Sequence, residues 1–216
     1  MYTLEPINVA RALVEATKLA DAPGVYPEDS NYKSHASVDA LLDHVRSGSE
    51  IPIILREVTY QGEYICARME RYKDRIEISV NSNQDEKWKR FAAIKELAHL
   101  KIDTIENCSP YGDERIEELC RRGLLGLASE KNHPSKPATQ SEFLAEIAAI
   151  QIMYPYRRAA QDIEEHMEKR VPILRVSLER QMPEHYVATA LDIEYMTFLN
   201  AAFQLLNGEN SKAGPS

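Results

Sequence analysis

The stretch RFAAIKELAHLKID, residues 90–103, decides most of what the sequence says about fold and chemistry. Its apolar residues recur every three or four positions, the spacing of a helix with one face in a core. Within it, residues 95–99 read Lys-Glu-Leu-Ala-His. The zinc-helix motif is His-Glu-x-x-His, two imidazole ligands on one face with a glutamate between them as general base. The stretch therefore matches the motif at Glu96 and His99 and departs from it at Lys95.

The lysine at position 95 changes what such a helix can do. A protonated amine has no lone pair to offer a metal at neutral pH. We therefore expect zinc to bind weakly or not at all. Asp103, four residues after His99, is either an added carboxylate ligand or a surface residue at the C-terminus of the helix. Without a metal, Glu96 is expected to be only a solvated helix carboxylate.

Composition restricts the class of protein. With 216 residues, 44% of them hydrophobic and 28% charged, the chain is expected to fold around one main core. Its formal charge of −8 argues against direct nucleic-acid binding. No apolar stretch is long enough to span a membrane and no signal peptide is recognisable, so we expect a cytoplasmic protein. The three cysteines lack the spacing of a zinc ribbon, which is typical of reduced thiols.

Periodicity along the chain predicts mainly helices, with strands only between residues 51 and 81. We expect the strands to follow one another antiparallel, with a tight turn at 72–74. The acidic run Asp162, Glu164, Glu165 and Glu168 is expected to be a solvated face. The predicted helices cover 9–20, 37–47, 85–102, 114–127, 141–155, 177–191 with a break at Pro183, and 194–206; the strands cover 51–58, 63–71 and 75–81; 129–140 is a loop.

The predicted fold class is α+β. A small antiparallel three-stranded sheet packs on a zincin-like active-site helix and a second helix, with additional N- and C-terminal helices. We expect N-terminal helices over 1–48, a core over 49–170 that contains the altered zinc helix, a C-terminal helical subdomain over 171–206 and a disordered tail over 207–216.

Several features together resemble the ImmA/IrrE family of metallopeptidases. A strand ending in Asn81 is followed by Arg90-Phe91 and the altered zinc helix, and downstream the block EFLAEIAAIQIMYP, residues 142–155, aligns without a gap with the family's second conserved helix. The resemblance implies that Glu142 is the third metal ligand, that Glu146 lies behind the first ligand as its hydrogen-bond acceptor, and that Glu96 is the general base. This chain departs from the family at Lys95, in a longer segment between the two helices, and at Glu146, where the family has Asn or Asp.

The resemblance also suggests a role for Lys95. Its ammonium could lie where zinc would be and pair with Glu142 or Glu146, offsetting the cost of burying those carboxylates. Lysine would then replace the metal as a structural charge.

Three functions remain open. The first is a regulatory pseudo-peptidase that binds a protein partner, which the resemblance implies to be a helix-turn-helix repressor or similar regulator in phage, mobile-element or stress control. The second is an active zinc endopeptidase, a hydrolase that cleaves such a regulator, with the metal held by His99, Glu142 and a further ligand such as Asp103 or a loop histidine. The third is a non-enzymatic helical interaction module.

Overall fold

A computed structural model describes residues 6–27, 34–61, 65–103, 137–169 and 172–212. In these ranges the chain forms eight helices and a three-stranded sheet, which confirms the α+β class. The helix predicted at 114–127 lies outside the described residues. The elements are α1 (Pro6–Ala20), α2 (Val38–Ser47), β1 (Ile53–Val58), β2 (Ala67–Arg71), β3 (Ile76–Asn81), α3 (Glu86–Ile102), α4 (Pro137–Met153), α5 (Tyr156–Lys169), α6 (Ile173–Arg180), α7 (Glu184–Ala190) and α8 (Ile193–Lys212).

The sheet has the order β1-β3-β2, and its directions are mixed. β2 and β3 are antiparallel, and the predicted tight turn between them is closed by a 2.8 Å hydrogen bond from the Tyr72 N–H to the Arg75 carbonyl. β1 pairs with β3 in parallel, so the expected antiparallel succession is wrong for this strand. The physical reason is the connection over 59–66, which is longer than a tight hairpin turn and lets β2 occupy the far edge.

β3 is the most buried strand because it is paired on both sides. Ile78 and Val80 lie in the core, and successive side chains of a strand point to opposite faces of the sheet. On the other face Glu77 accepts hydrogen bonds from Arg56 (2.7 Å) and Arg75 (2.6 Å). The two arginines therefore pair with a carboxylate that is only 9% exposed.

α3 lies at the centre of the molecule and carries the altered zinc motif. It begins at the N-cap Asp85, whose side chain accepts hydrogen bonds from the backbone N–H groups of Lys87 (2.9 Å) and Trp88 (3.1 Å). α3 packs against β2, β3, α2 and α4, while α1 packs against α4 and α8. This packing buries the helix at Glu96 and His99 as well as at its apolar residues.

Two boundaries differ from the predictions. α4 begins at Pro137 rather than Ser141, because proline needs no N–H donor and fits the first turn of a helix. Ser141 therefore lies inside α4 and does not cap it. α8 runs to Lys212, so residues 207–212 of the predicted disordered tail have helical backbone. The break at Pro183 is confirmed, since α6 and α7 flank it.

Asp162 is not part of a solvated face, although it opens the acidic run. Its carboxylate accepts hydrogen bonds from the Tyr154 hydroxyl (2.8 Å) and from Nε of Arg158 (3.0 Å), and it pairs with Arg180, which is 1% exposed. Three donors from different positions thus converge on one carboxylate, which links α5 to α6. Among the described helices none is long and apolar enough to cross a membrane.

Candidate functional site

The candidate site lies where α3 faces α4. Nζ of Lys95 is 2.5 Å from Oε2 of Glu142, and Nε2 of His99 is 3.6 Å from Oε1 of the same carboxylate. Lys95 and His99 share one face of α3 because they are four residues apart. The structure therefore brings together the three positions that the motif and the resemblance selected, with an ammonium at the first of them.

The two ring nitrogens of His99 have different surroundings. Its Nδ1 is 3.1 Å from Oδ1 of Asp103 and 3.2 Å from Oγ of Ser141. Its Nε2 is buried and has no hydrogen-bond partner among the residues that the structure describes. The ring thus presents Nε2 toward Glu142 and uses Nδ1 to contact polar neighbours.

Asp103 is held in place by a neighbour from the sheet. Nη2 of Arg71, at the end of β2, donates to Oδ2 of Asp103 at 2.7 Å, and Ser141 donates to Oδ1 at 2.5 Å. Because Asp103 lies on the Nδ1 edge, it cannot share a metal with Nε2 of His99. The alternative of Asp103 as a carboxylate ligand beside His99 is therefore wrong, and the position of Asp103 is that of a group that orients the ring.

Sequence reasoning missed Arg71 and Ser141. Neither residue belongs to the zinc motif, and the prediction that a helix starts at Ser141 did not indicate the partners of its side chain. The position of Ser141 could have been predicted, because it directly precedes Glu142 and so lies near the site to which Glu142 belongs. No local signal identifies Arg71, since its contact with Asp103 joins the sheet to the end of α3.

The ionisable groups of the site shift one another's pKa values. Burial alone would raise the pKa of Glu142, but His99 and Lys95 outweigh it and lower the pKa to about 2. Burial alone would lower the pKa of His99, yet the neighbouring carboxylates of Asp103 and Glu142 raise it to about 9. The pKa of Lys95 is raised because Glu142 and Glu96 outweigh burial. Lys95 therefore stays charged at neutral pH.

Glu96 and Glu146 behave differently from Glu142. Burial raises the pKa of the Glu96 carboxyl, and the charges of Lys95 and His99 only partly oppose this. Burial likewise raises the pKa of Glu146, with Lys95 opposing it. Glu96 is only 8% exposed, so the expectation of a solvated helix carboxylate is wrong, and its carboxyl lies near the charges of Lys95 and His99. The roles of Glu96 as general base and of Glu146 behind the first ligand stay predictions.

The described residues do not fit a catalytic zinc ion. Such a site usually has three protein ligands and one open position. Here only His99 and Glu142 converge, and the third position belongs to the ammonium of Lys95, which is already paired with Glu142. Across the described ranges, no group of three or more His, Cys, Asp or Glu side chains is arranged to hold a metal ion.

The serine, histidine and aspartate do not form a nucleophilic triad either. In a triad the hydroxyl contacts one ring nitrogen and the carboxylate the other. Ser141 and Asp103 both contact Nδ1 of His99, so no ring nitrogen is left to carry a proton between them. Their arrangement serves to hold the ring.

Comparison of the chain with models of known protein families finds no match, and comparison with curated proteins finds no significant similarity. The geometry of this site and the motif residues are therefore the grounds for assigning a function.

Proposed function

We propose that this chain is an ImmA/IrrE-like pseudo-peptidase, a metallopeptidase-type scaffold that regulates by binding a protein partner. One observation carries the proposal. The ammonium of Lys95 lies 2.5 Å from Glu142, at the position where the motif calls for the first zinc ligand. The partner suggested by the resemblance is a helix-turn-helix repressor or a similar regulator.

The charges around Lys95 support the loss of hydrolysis. A zinc peptidase activates a metal-bound water, which the glutamate of the motif deprotonates. The carboxylate of Glu142 is already paired with the ammonium of Lys95. His99 therefore has no second imidazole beside it with which to bind a metal ion. Glu96 then has no metal-bound water to act on. A scaffold in this state retains its shape, since the lysine neutralises a carboxylate that would otherwise be buried without a counter-charge.

The substitution Lys95→His tests the proposal directly. It supplies the missing imidazole, so the variant should bind one zinc ion per chain, whereas the wild type should bind none after purification without chelator. At a free zinc concentration about 100 times Kd, binding should stabilise the fold by about 2.7 kcal/mol. The measurements are metal content by mass spectrometry and thermal unfolding with and without zinc.

Lys89→His is the matched control. Lys89 is on the same helix and donates to the carboxylates of Glu57 (3.0 Å) and Glu86 (2.8 Å), but it has no imidazole partner among the described residues. It should gain no zinc. Zinc binding by both variants, or by neither, would contradict the proposed site.

An active zinc endopeptidase is the second candidate. It is favoured by the buried Nε2 of His99, which faces Glu142 without a hydrogen bond to any described residue. Asp103 contacts the other edge of the ring, so the further ligand of this candidate would be a loop histidine, for which His133 is the test case. Stoichiometric zinc in the wild type that is lost in both His99→Ala and His133→Ala variants would establish this candidate instead.

A further inference from the structure

The Nδ1 edge of His99 is surrounded by three groups from three elements. Asp103 closes α3 and its backbone N–H bonds the His99 carbonyl at 3.1 Å, Ser141 lies on α4, and Arg71 ends β2. The side chains of His99 and Asp103 are only 4% and 8% exposed. His99 and Asp103 therefore contact each other in the interior of the protein and not at its surface.

The hydrogen-bond chemistry determines where the proton on this edge lies. Ser141 has one hydroxyl proton, and it goes to Oδ1 of Asp103 at 2.5 Å. An ionised carboxylate only accepts, and the Ser141 oxygen can then only accept as well. Both groups that contact Nδ1 are thus acceptors, so the proton between them belongs to Nδ1 of His99.

Two further contacts fix the direction of the ring. Arg71 donates to the other oxygen of Asp103 at 2.7 Å, which prevents the carboxylate from turning away. Ser141 and Glu142 are consecutive residues of α4, and they lie on opposite edges of the imidazole. The ring is held between them, with its Nδ1–H toward Asp103 and its Nε2 toward Glu142.

We propose that Asp103, supported by Arg71 and Ser141, is the positioning residue of His99, holding its Nδ1–H so that Nε2 is aimed at the carboxylate of Glu142. The inference rests on the proposed function, in which His99 is the retained second ligand position of the zinc motif. Metal-binding histidines commonly donate their second ring N–H to a carboxylate. The chain has thus kept the group that orients the second ligand while losing the first ligand.

Nuclear magnetic resonance of the wild-type protein tests the positioning role without any metal. We expect a slowly exchanging ring N–H resonance of His99, correlated to Nδ1 and assigned by its loss in His99→Gln. In Asp103→Asn the charged acceptor is gone, so this resonance should shift upfield and exchange faster. Asp103→Glu should restore part of the effect, which a purely structural role would not require.

Asp162→Asn is the control, because it also removes a buried carboxylate paired with arginine but lies away from His99. It should leave the His99 resonance unchanged. Ser141→Ala serves as a second variant and should weaken the protection of Nδ1–H while preserving the proton on that nitrogen. Absence of a His99 Nδ1–H in the wild type, or an unchanged resonance in Asp103→Asn, would overturn the inference.

Zinc affinity in the Lys95→His background gives a second readout. Loss of a ligand's hydrogen-bond partner typically weakens metal binding by about 10- to 100-fold, and we expect this loss on adding Asp103→Asn. If Lys95→His binds no zinc while the Nδ1–H behaves as described, the proposed function fails and the positioning role stands. If Lys95→His binds zinc and Asp103→Asn changes neither affinity nor resonance, the positioning role fails alone.

Discussion

Lys95 and Glu142 form an ion pair whose energetic value depends on its partial burial. Their side chains are 24% and 33% exposed, so the pair is neither fully solvated nor sealed in the core. Exposed pairs contribute about 0–1 kcal/mol, whereas removing one partner of a fully buried pair costs about 3–5 kcal/mol. The pair in this protein lies between these limits, since water still reaches both groups.

The variant Lys95→Met keeps the apolar stem and removes the charge. We expect the free energy of unfolding to fall by about 1–3 kcal/mol, because Glu142 is left without its cation. Adding Glu142→Gln should recover most of the loss, since the double variant has no uncompensated carboxylate. Urea unfolding of the single and double variants measures both effects.

Lys89→Met provides the comparison on the same helix. The carboxylates that Lys89 contacts are 58% and 74% exposed, so its loss should cost less than about 1 kcal/mol. An equal loss of unfolding free energy in Lys95→Met and Lys89→Met would mean that the Lys95–Glu142 pair stabilises the fold no more than an exposed pair.

At the scale of elements, an aromatic contact joins α3 to α7. Trp88 stacks on His185 with ring centres 5.0 Å apart, and Phe91 stacks on Tyr186 at 3.8 Å. Stacked rings contribute about 0.5–1.5 kcal/mol beyond the area that they bury. The C-terminal helices are thereby attached to the helix that carries the candidate site.

This contact should respond to pH. Burial lowers the pKa of His185 below its ordinary value of 6.5, so the folded state favours the neutral ring. The stabilising contribution of the neutral ring is present above pH 6.5 and is lost as the pH falls below it. Trp88 is the single tryptophan, and an imidazolium stacked on it quenches its emission. We expect Trp88 fluorescence to decrease with a midpoint below pH 6.5.

His185→Gln should abolish this titration, whereas replacement of the exposed His44 on α2 by glutamine should leave it unchanged. A midpoint above pH 6.5, or a titration that survives in His185→Gln, would show that the stacking does not control the emission.

At the scale of the whole molecule, the buried apolar residues that the structure describes form one cluster. It includes residues of α1, of the sheet, of α3 and α4, and of α6 to α8. The segments 1–48 and 171–206, which the sequence suggested as separate regions, thus contribute to the same core as the 49–170 segment. A shared core normally unfolds as one unit.

We therefore expect a single unfolding transition. Far-ultraviolet circular dichroism reports all helices and Trp88 fluorescence reports α3, and the two probes should give the same midpoint. Leu13→Ala, in the fully buried face of α1, should lower both midpoints together, with a loss of about 2–5 kcal/mol. If only the dichroism changes, or if two transitions appear, the N-terminal helices fold independently of the site.

Local signals in the sequence were enough to predict most elements and the unusual residue of the site. The starts of α2 and α3, the apolar period of α3 and the turn after β2 depend on residues a few positions apart, so they can be predicted from the sequence alone. The replacement of a ligand at Lys95 is visible in the same way. Glu142 was selected by the resemblance, and its place beside Lys95 is a finding of the structure.

Tertiary packing alone decided the direction of β1, the partners of Asp162 and the surroundings of the His99 ring. Each depends on which distant segments meet, and neither periodicity nor capping carries that information. Asp103 appeared from its spacing to be either a ligand or a surface residue. The structure shows that Asp103 contacts Nδ1 of His99, and that Arg71 from the sheet and Ser141 from α4 hold it there. The sequence determined that position 99 is a histidine. The direction of its ring was determined by the elements that pack around it.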